Sequence, residues 1–231
     1  MPFASVQREP ILCYITDRRA LPGDSADSAA PLGASIEAAA RAGVDWIQIR
    51  EKDLTAQALA LLVRETVQRI AQLGVKPAGP RILVNDRLDV ALAEGAGGVH
   101  LPENSFHVAD ARRLLSASRP GVAPLADFLV GVSTHSPAAA SAAAQAGADY
   151  IIFGPVFPTP SKATYGPPQG LAQLAEVCRA VRIPVLAIGG ITLENASSCA
   201  EAGAAGVAAI RLFQNATNLE DAVQRLRARL R

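Results

Sequence analysis

The run Ala42-Gly43-Val44-Asp45-Trp46-Ile47-Gln48-Ile49-Arg50-Glu51-Lys52 decides how the chain folds. Gly43 suits the left-handed residue that follows a helix's last turn. Residues 45–50 then read as a buried strand that breaks into a charged loop. Trp46, Ile47 and Ile49 supply the apolar character, and Gln48, Arg50 and Lys52 alternate with them. Strand side chains repeat every two residues, so these three polar groups can share one face. One amide and two cations at a strand's exit suit an anion site. The plainer alternative is a solvated strand end carrying a Glu51–Lys52 pair.

The same helix-to-strand handover recurs along the chain. It appears as Glu94-Gly95-Ala96-Gly97, Ala146-Gly147-Ala148-Asp149 and Ala202-Gly203-Ala204-Ala205. Short aliphatic runs predict strands at 11–16, 45–50, 81–85, 97–101, 128–133, 150–154, 184–189 and 206–210. Most are continuous and apolar, as strands covered on both faces should be. Segments with a 3.6-residue period lie between them. In 54–73, Leu59, Leu62, Val63, Val67 and Ile70 fall on one stripe. Alternating strands and helices argue for a parallel sheet with right-handed crossovers. Eight such units in 231 residues argue for a single α/β domain over 1–231, closed as a (β/α)8 TIM barrel. The runner-up is an open, doubly wound sheet. The stretches 21–31 and 117–127 read as flexible insertions within the barrel.

Composition narrows the functional classes. A net charge of +1 gives no bulk electrostatic case for nucleic acid or a membrane surface. Aromatic residues make up 4% of the chain, too few for base-stacking platforms. Cys13, Cys178 and Cys199 form no Cys-x-x-Cys pair, so neither a disulfide framework nor a zinc site is expected. Residues 1–10 lack the apolar core of a signal peptide. No stretch approaches the length of a membrane span. The expectation is a cytoplasmic protein acting on small molecules. The sequence leaves a homodimer open.

Barrel active sites lie at the carboxyl ends of the strands, and polar residues gather there. Strand one leads into Thr16-Asp17-Arg18, strand three into Asn85-Asp86-Arg87, and strand four carries His100 before Glu103, Asn104 and Ser105. Strand five ends in Ser133-Thr134-His135. Gly189-Gly190, between strand seven and a helix predicted to start near Thr192, offers bare amides where a phosphate can bind; it also reads as a tight turn. Arg50, Lys52 and Lys162 exceed the need of one monophosphate and suit a diphosphate. Asp86 can hold Mg²⁺, which takes few carboxylates and several phosphate oxygens. Alternatively, Asn85 and Asp86 cap the next helix. Ser133, Thr134 and His135 are adjacent, which is poor geometry for a nucleophile–base pair, and no Gly-x-Ser-x-Gly elbow exists. His135 reads as an acid–base group or a polar lid over a heteroaromatic ring. His100 suits a core or a pocket, and His107 a surface.

Taken together, the motifs resemble the thiamine phosphate synthase superfamily, which includes a thiazole tautomerase branch. The matching pieces are Tyr14-Ile15-Thr16-Asp17, Gln48–Lys52, Val84-Asn85-Asp86, Gly98-Val99-His100-Leu101, Gly131–His135, Ala148-Asp149-Tyr150, Gly154–Thr159 and Pro184–Ile191. They cover nearly the whole chain in order. The resemblance implies a TIM barrel that joins hydroxymethylpyrimidine diphosphate to a thiazole phosphate, releasing pyrophosphate. It implies pyrimidine contacts from Gln48 and Ser133; His100 is a further candidate substrate-binding residue. Arg50, Lys52, Asn85 and Lys162 would hold the diphosphate, and Asp86 would hold Mg²⁺. Thr159 and Ser161 would face the thiazole, with Gly189, Gly190 and Arg211 at its phosphate.

Two positions depart from the synthase pattern. Ser105 stands where synthases place a second Mg²⁺-binding aspartate, and Arg211 where they place a serine. Leu101–Phe106 looks more like the tautomerase branch, in which the histidine matching His135 acts as acid–base catalyst. Against this, Lys52, Asp86 and Lys162 are retained, and a tautomerase has no diphosphate to hold. A non-catalytic binder of thiamine precursors is the third reading. The proline-rich segment 155–168, with Gly154, Gly166 and Gly170 beside or within it, reads as a closing lid.

Overall fold

A computed structural model of the chain describes residues 9–21, 29–74, 79–117, 127–159 and 167–231. The strands are β1 (Ile11–Ile15), β2 (Trp46–Ile49), β3 (Arg81–Asn85), β4 (Gly98–Leu101), β5 (Leu129–Thr134), β6 (Tyr150–Phe153), β7 (Val185–Ile188) and β8 (Gly206–Ala209). All pairs are parallel, and β8 closes on β1. The helices between and after them are α1 (Ala29–Ala42), α2 (Ala56–Gln72), α3 (Leu88–Ala93), α4 (Val108–Ala117), α5 (Pro137–Gln145), α6 (Gly170–Ala180), α7 (Ala196–Glu201), α8 (Arg211–Gln214) and α9 (Leu219–Leu230). This is the closed (β/α)8 barrel expected from the aliphatic runs, so the open doubly wound sheet is excluded.

Local signals account for most boundaries. The handover glycines Gly43, Gly95, Gly147 and Gly203 all take positive φ, between 69° and 95°, where a Cβ would be strained. Thr55 caps α2 by accepting from the Ala58 amide, and α2 buries Leu59, Leu62, Val63 and Ile70 on its apolar stripe. One boundary differs. α7 starts at Ala196, not near Thr192, because Thr192–Asn195 is a hydrogen-bonded turn: the Thr192 amide donates to Asn195 Oδ1 at 2.8 Å. α1 also begins at Ala29, inside the predicted insertion 21–31. The rest of that insertion's interior, 22–28, and residues 118–126 of the other lie outside the described residues.

Two apolar layers hold the barrel. The larger lies between strands and helices and takes Ile47, Ile49, Val84, Val99, Val130, Val132 and Val207 from the sheet. The smaller fills the barrel and is built on Cys13, Ile15, Leu83, Tyr150, Ile152, Leu186 and Ala208. Trp46 packs against this inner cluster, not with Ile47 and Ile49, and its ring lies 4.6 Å from that of Tyr150. The alternation in β2 therefore puts Trp46 and Gln48 on the same inward face. Tyr150 opposes Gly131 across the β5–β6 pair. A Cβ on Gly131 would fall 1.9 Å from the Tyr150 ring, so the glycine makes room for it.

The repeated Ala-Gly-x-Asp handover forms the same lock on opposite sides of the barrel. Asp45 Oδ2 accepts from the Leu12 amide at 2.7 Å, and Asp149 Oδ2 accepts from the Val130 amide at 2.6 Å. Arg227 of α9 bonds Asp45 at 3.0 Å and also donates to the Gly43 carbonyl. Arg112 of α4 pairs with Asp149 at 2.5 Å and donates to the Gly147 carbonyl. The two locks are related by a shift of four strands, which is half the barrel.

Candidate active site

β1 and β2 deliver their polar exits to one place. Thr16 Oγ1 accepts from the Arg50 amide at 3.0 Å and donates to Glu51 Oε1 at 2.7 Å. Glu51 is buried and also accepts from the Arg18 amide at 3.1 and 3.2 Å and from the Arg18 guanidinium at 3.2 Å. Glu51 is therefore a clamp between two loops and not the solvated partner of Lys52. Arg18 continues outward to Asp53, with both contacts between 2.5 and 2.6 Å. Those bonds hold the Asp53 carboxyl down at about 2. The clamp fixes the backbone from which Arg50 and Lys52 project: Arg50 is half-buried and Lys52 exposed.

Inside the wall sits a buried polar chain. His100 Nδ1 lies 3.1 Å from the Tyr150 hydroxyl, and His100 Nε2 lies 2.8 Å from Ser133 Oγ. His100 is 2% exposed, so the core and pocket readings merge: it lies in the barrel interior with both ring nitrogens engaged. Burial, and secondarily the Arg50 cation, push its pKa down to about 3. Burial likewise raises the Tyr150 phenol well above its ordinary value. Gln48, 1% exposed, faces the same interior, and its Nε2 has no partner among the described residues. The other two such atoms, Thr134 Oγ1 and Gln214 Oε1, belong to an outward-facing strand position and to α8. An unpaired buried amide donor costs about 1–3 kcal/mol and is relieved by a ligand that brings an acceptor.

At β3 the helix-capping alternative does not hold. The residue at the N-cap of α3 is Arg87, and no side chain caps that end. Asp86 instead takes φ 62°, alone among the described non-glycine residues. Its amide donates to the His100 carbonyl at 2.9 Å, and its carboxylate accepts from the Ser105 hydroxyl. Ser105 thus ties the β4 exit to the β3 exit at the position where the synthase pattern has an aspartate. Asn85 is the register partner of His100 on the neighbouring strand.

The β6 and β7 exits run together. The Val156 amide donates to the Ile188 carbonyl at 2.8 Å and the Phe157 amide to the Gly189 carbonyl at 3.0 Å. Gly189 and Gly190 take φ 95° and 64°, and a Cβ on either would come 2.5 Å from the 155–158 segment. The glycine pair is therefore required by close approach, whatever else its amides bind. Gly154 is packed the same way against Ile188 and is not a free hinge. Arg211 opens α8 directly after β8 and is exposed, beside the Gly189-Gly190 loop in barrel order. His135 Nδ1 donates to the Gly154 carbonyl, which leaves Nε2 3.8 Å from Glu103. Lys162 and Ser161 lie outside the described residues, as does half of the lid reading, residues 160–166; Thr159 stands just before them.

Neither Glu51 nor Tyr150 stands among the site residues expected from the sequence. A carboxylate between two cations opposite a buried threonine was the available signal for the first. The glycine–tyrosine register of β5 and β6 would have disclosed the second, and it is not readable before the sheet is closed.

The family described as "Thiamine monophosphate synthase" matches residues 12–213. The chain belongs to that family. A thiamine-phosphate synthase of Roseiflexus sp. (strain RS-1) is 40% identical over 235 residues, covering 98% of this chain and 91% of the relative. A thiamine-phosphate synthase of Anaeromyxobacter dehalogenans is 44% identical over 203 residues, covering 88% and 83%. Among solved structures, the thiamine phosphate pyrophosphorylase from Pyrococcus furiosus superposes with a TM-score of 0.76 at 28% identity, covering 97% of this chain and 96% of the other. Likeness to FabK from Thermotoga maritima, at 19% identity and a TM-score of 0.63, reflects the barrel alone.

Proposed function

We propose that the protein is a thiamine-phosphate synthase, which joins hydroxymethylpyrimidine diphosphate to thiazole phosphate and yields thiamine monophosphate and pyrophosphate. The observation that carries the synthase reading within the family is Asp86. Its strained backbone conformation costs about 1–3 kcal/mol, it caps no helix, and Ser105 holds its carboxylate between two strand exits. An enzyme that handles a diphosphate has a use for such a group.

The reaction needs little proton transfer. The bond from the pyrimidine methylene to the diphosphate oxygen breaks, and the electron pair leaves with pyrophosphate. The thiazole nitrogen then donates its lone pair to the methylene carbon and closes the new C–N bond. Gln48 and Ser133 hold the pyrimidine. Arg50, Lys52, Asn85 and Lys162 take the diphosphate and stabilise the charge that develops as it departs. Thr159 and Ser161 face the thiazole. The Gly189-Gly190 amides and Arg211 receive its phosphate at two adjacent exits, as barrels commonly do. Holding both substrates in one mouth makes the capture effectively unimolecular.

A single carboxylate fits Mg²⁺ when water and substrate oxygens complete its shell, so Asp86 would hold the ion most firmly together with the diphosphate. A Mg²⁺ ion held there would supply positive charge to the departing pyrophosphate. No group of three or more acidic, histidine or cysteine side chains among the described residues offers an all-protein site. Three unpaired cysteines suit a reducing cytoplasm. No helix among the described residues is long and apolar enough to cross a membrane.

The tautomerase reading would rest on His135 Nε2 beside Glu103. A pyrophosphate-release assay separates the two. Mg²⁺-dependent release that requires both precursors, and collapses in Lys162→Ala, supports the synthase. No release from folded protein would overturn it and leave thiazole isomerisation through His135 as the reaction to assay.

A further inference from the structure

We propose that Tyr150 and His100 form a buried relay that fixes the Ser133 hydroxyl as a hydrogen-bond donor toward the barrel mouth, which makes His100 and Tyr150 positioning residues for the pyrimidine. That the recipient is a pyrimidine rests on the synthase reading. The relay itself rests on geometry alone.

The direction follows from counting protons. The Tyr150 hydroxyl is fully buried, and among the described residues its one hydrogen-bond partner is His100 Nδ1 at 3.1 Å. A phenol with a single partner donates to it, because an unused buried O–H donor costs more than an unused second lone pair on its oxygen. Nδ1 is then an acceptor. A doubly protonated ring would be a buried cation, and no carboxylate among the described residues bonds His100; an unpaired buried charge is far more costly than a neutral ring. The ring proton therefore sits on Nε2 and is given to Ser133 Oγ at 2.8 Å. Ser133, the half-buried end of the chain, has its own proton left to donate. Gln48, on β2, also presents an unpaired amide donor to the barrel interior. Two donors facing the barrel interior suit a ring that offers two acceptors, such as the two unprotonated ring nitrogens of a neutral pyrimidine. They reject its ring-protonated form.

The relay also explains the fixed shape around it. The Tyr150 ring fills the space that Gly131 leaves open, stacks 5.6 Å from the His100 ring, and meets Trp46 below. The hydroxyl is held in place by packing that does not depend on the hydrogen bond, so Tyr150→Phe removes the donor and keeps the ring.

Long-range proton–nitrogen correlation spectra of ¹⁵N-labelled protein report the tautomer of each of the three histidines, and loss of one signal set in His100→Asn assigns this one. The expected result is His100 neutral with the proton on Nε2, and a mixed tautomer in Tyr150→Phe. In turnover, Tyr150→Phe should raise KM for the pyrimidine diphosphate about tenfold, the worth of one directed hydrogen bond, with kcat within about twofold. In a Ser133→Ala background the same change should add nothing. A proton on Nδ1 in the wild type, a doubly protonated ring, or an equal loss in the Ser133→Ala background would overturn the relay. Absence of all turnover would instead remove the synthase reading, and the tautomer would still decide the relay.

Discussion

Glu51→Gln is the most informative single change outside the substrate contacts. The wild-type carboxylate accepts from three donors: the Thr16 hydroxyl, the Arg18 amide shared between its two oxygens, and the Arg18 guanidinium. A carboxamide of the same shape keeps one acceptor oxygen and turns an NH₂ toward groups that are themselves donors. In either orientation one full bond to a charged acceptor is lost, at about 1.5–3 kcal/mol, the shared Arg18 amide keeps only one oxygen, and the remaining bonds lose their charge assistance. Arg18 retains Asp53 and some water enters, so the net loss should be about 2–4 kcal/mol. In a chain of this size that lowers Tm by roughly 5–15 °C, which leaves a folded protein to assay. The functional effect follows from Thr16, whose hydroxyl both donates to Glu51 and accepts from the Arg50 amide. With that hydroxyl released, KM for the pyrimidine diphosphate should rise while KM for thiazole phosphate stays near wild type. Asp53→Asn, which weakens only the outer contacts to Arg18 and Arg19, should shift Tm far less. Calorimetry and initial-rate kinetics on both variants make the test. A Tm for Glu51→Gln within about 2 °C of wild type, or equal KM changes for both substrates, would refute the idea of a clamp that positions Arg50.

Three further outcomes are expected. His100 titrates near 6.5 when unfolded and at about 3 in the fold. Between those values the unfolded state binds the extra proton, so stability should fall as pH drops, by up to about 1.4 kcal/mol per pH unit; urea midpoints from pH 7 to 4 should show this slope and lose most of it in His100→Asn. Gly190→Ala places a Cβ against the Pro158 carbonyl at a φ of 64° and should raise KM for thiazole phosphate at least tenfold, of the order set by about 1–3 kcal/mol of strain; unchanged kinetics would remove this loop from the phosphate site. Ser105→Asp adds a second carboxylate beside Asp86 and should tighten Mn²⁺ binding to the substrate-free protein, read by electron paramagnetic resonance, whereas Ser105→Ala should leave it near wild type; the reverse order would deny Asp86 a metal role.

The fold was legible because its signals are local. Aliphatic runs marked every strand to within about a residue of its observed ends, and left-handed glycines such as Gly43 and Gly147 marked the handovers. Inward and outward faces were not legible. A strand covered on both sides is apolar on both, so nothing in the residues around Trp46 says that it fills the barrel while Ile47 leaves it. The same ambiguity hid Tyr150, whose partners His100 and Gly131 lie on two other strands and meet it only at a given register. The capping alternative for Asp86 turned on a single backbone angle that pattern cannot supply. Candidate site residues were easier to collect, since a parallel barrel puts every strand exit at one end.

Why the barrel can carry a polar interior is a question of where its stability resides. The outer layer binds sheet to helices through the larger apolar cluster, and the two half-barrel locks at Asp45 and Asp149 close the amino ends of the strands. The inner cluster is small and apolar toward the Trp46 end. Toward the carboxyl ends it gives way to Gln48, His100 and Ser133. An unpaired Gln48 amide there subtracts about 1–3 kcal/mol from a stability that the outer layer supplies. The same deficit is recovered when a ring with an acceptor enters, so it becomes binding energy directed at one kind of ligand. The relay behind Ser133 sharpens that preference without touching the ligand, because protons ordered in the interior decide which hydrogen-bond partner the mouth accepts. On this argument Gln48→Leu, which fills the space and removes the unpaired donor, should stabilise the free protein and weaken the pyrimidine diphosphate together. A variant that lost stability as well as affinity would show that Gln48 is satisfied in the free protein, and that the interior holds no such reserve.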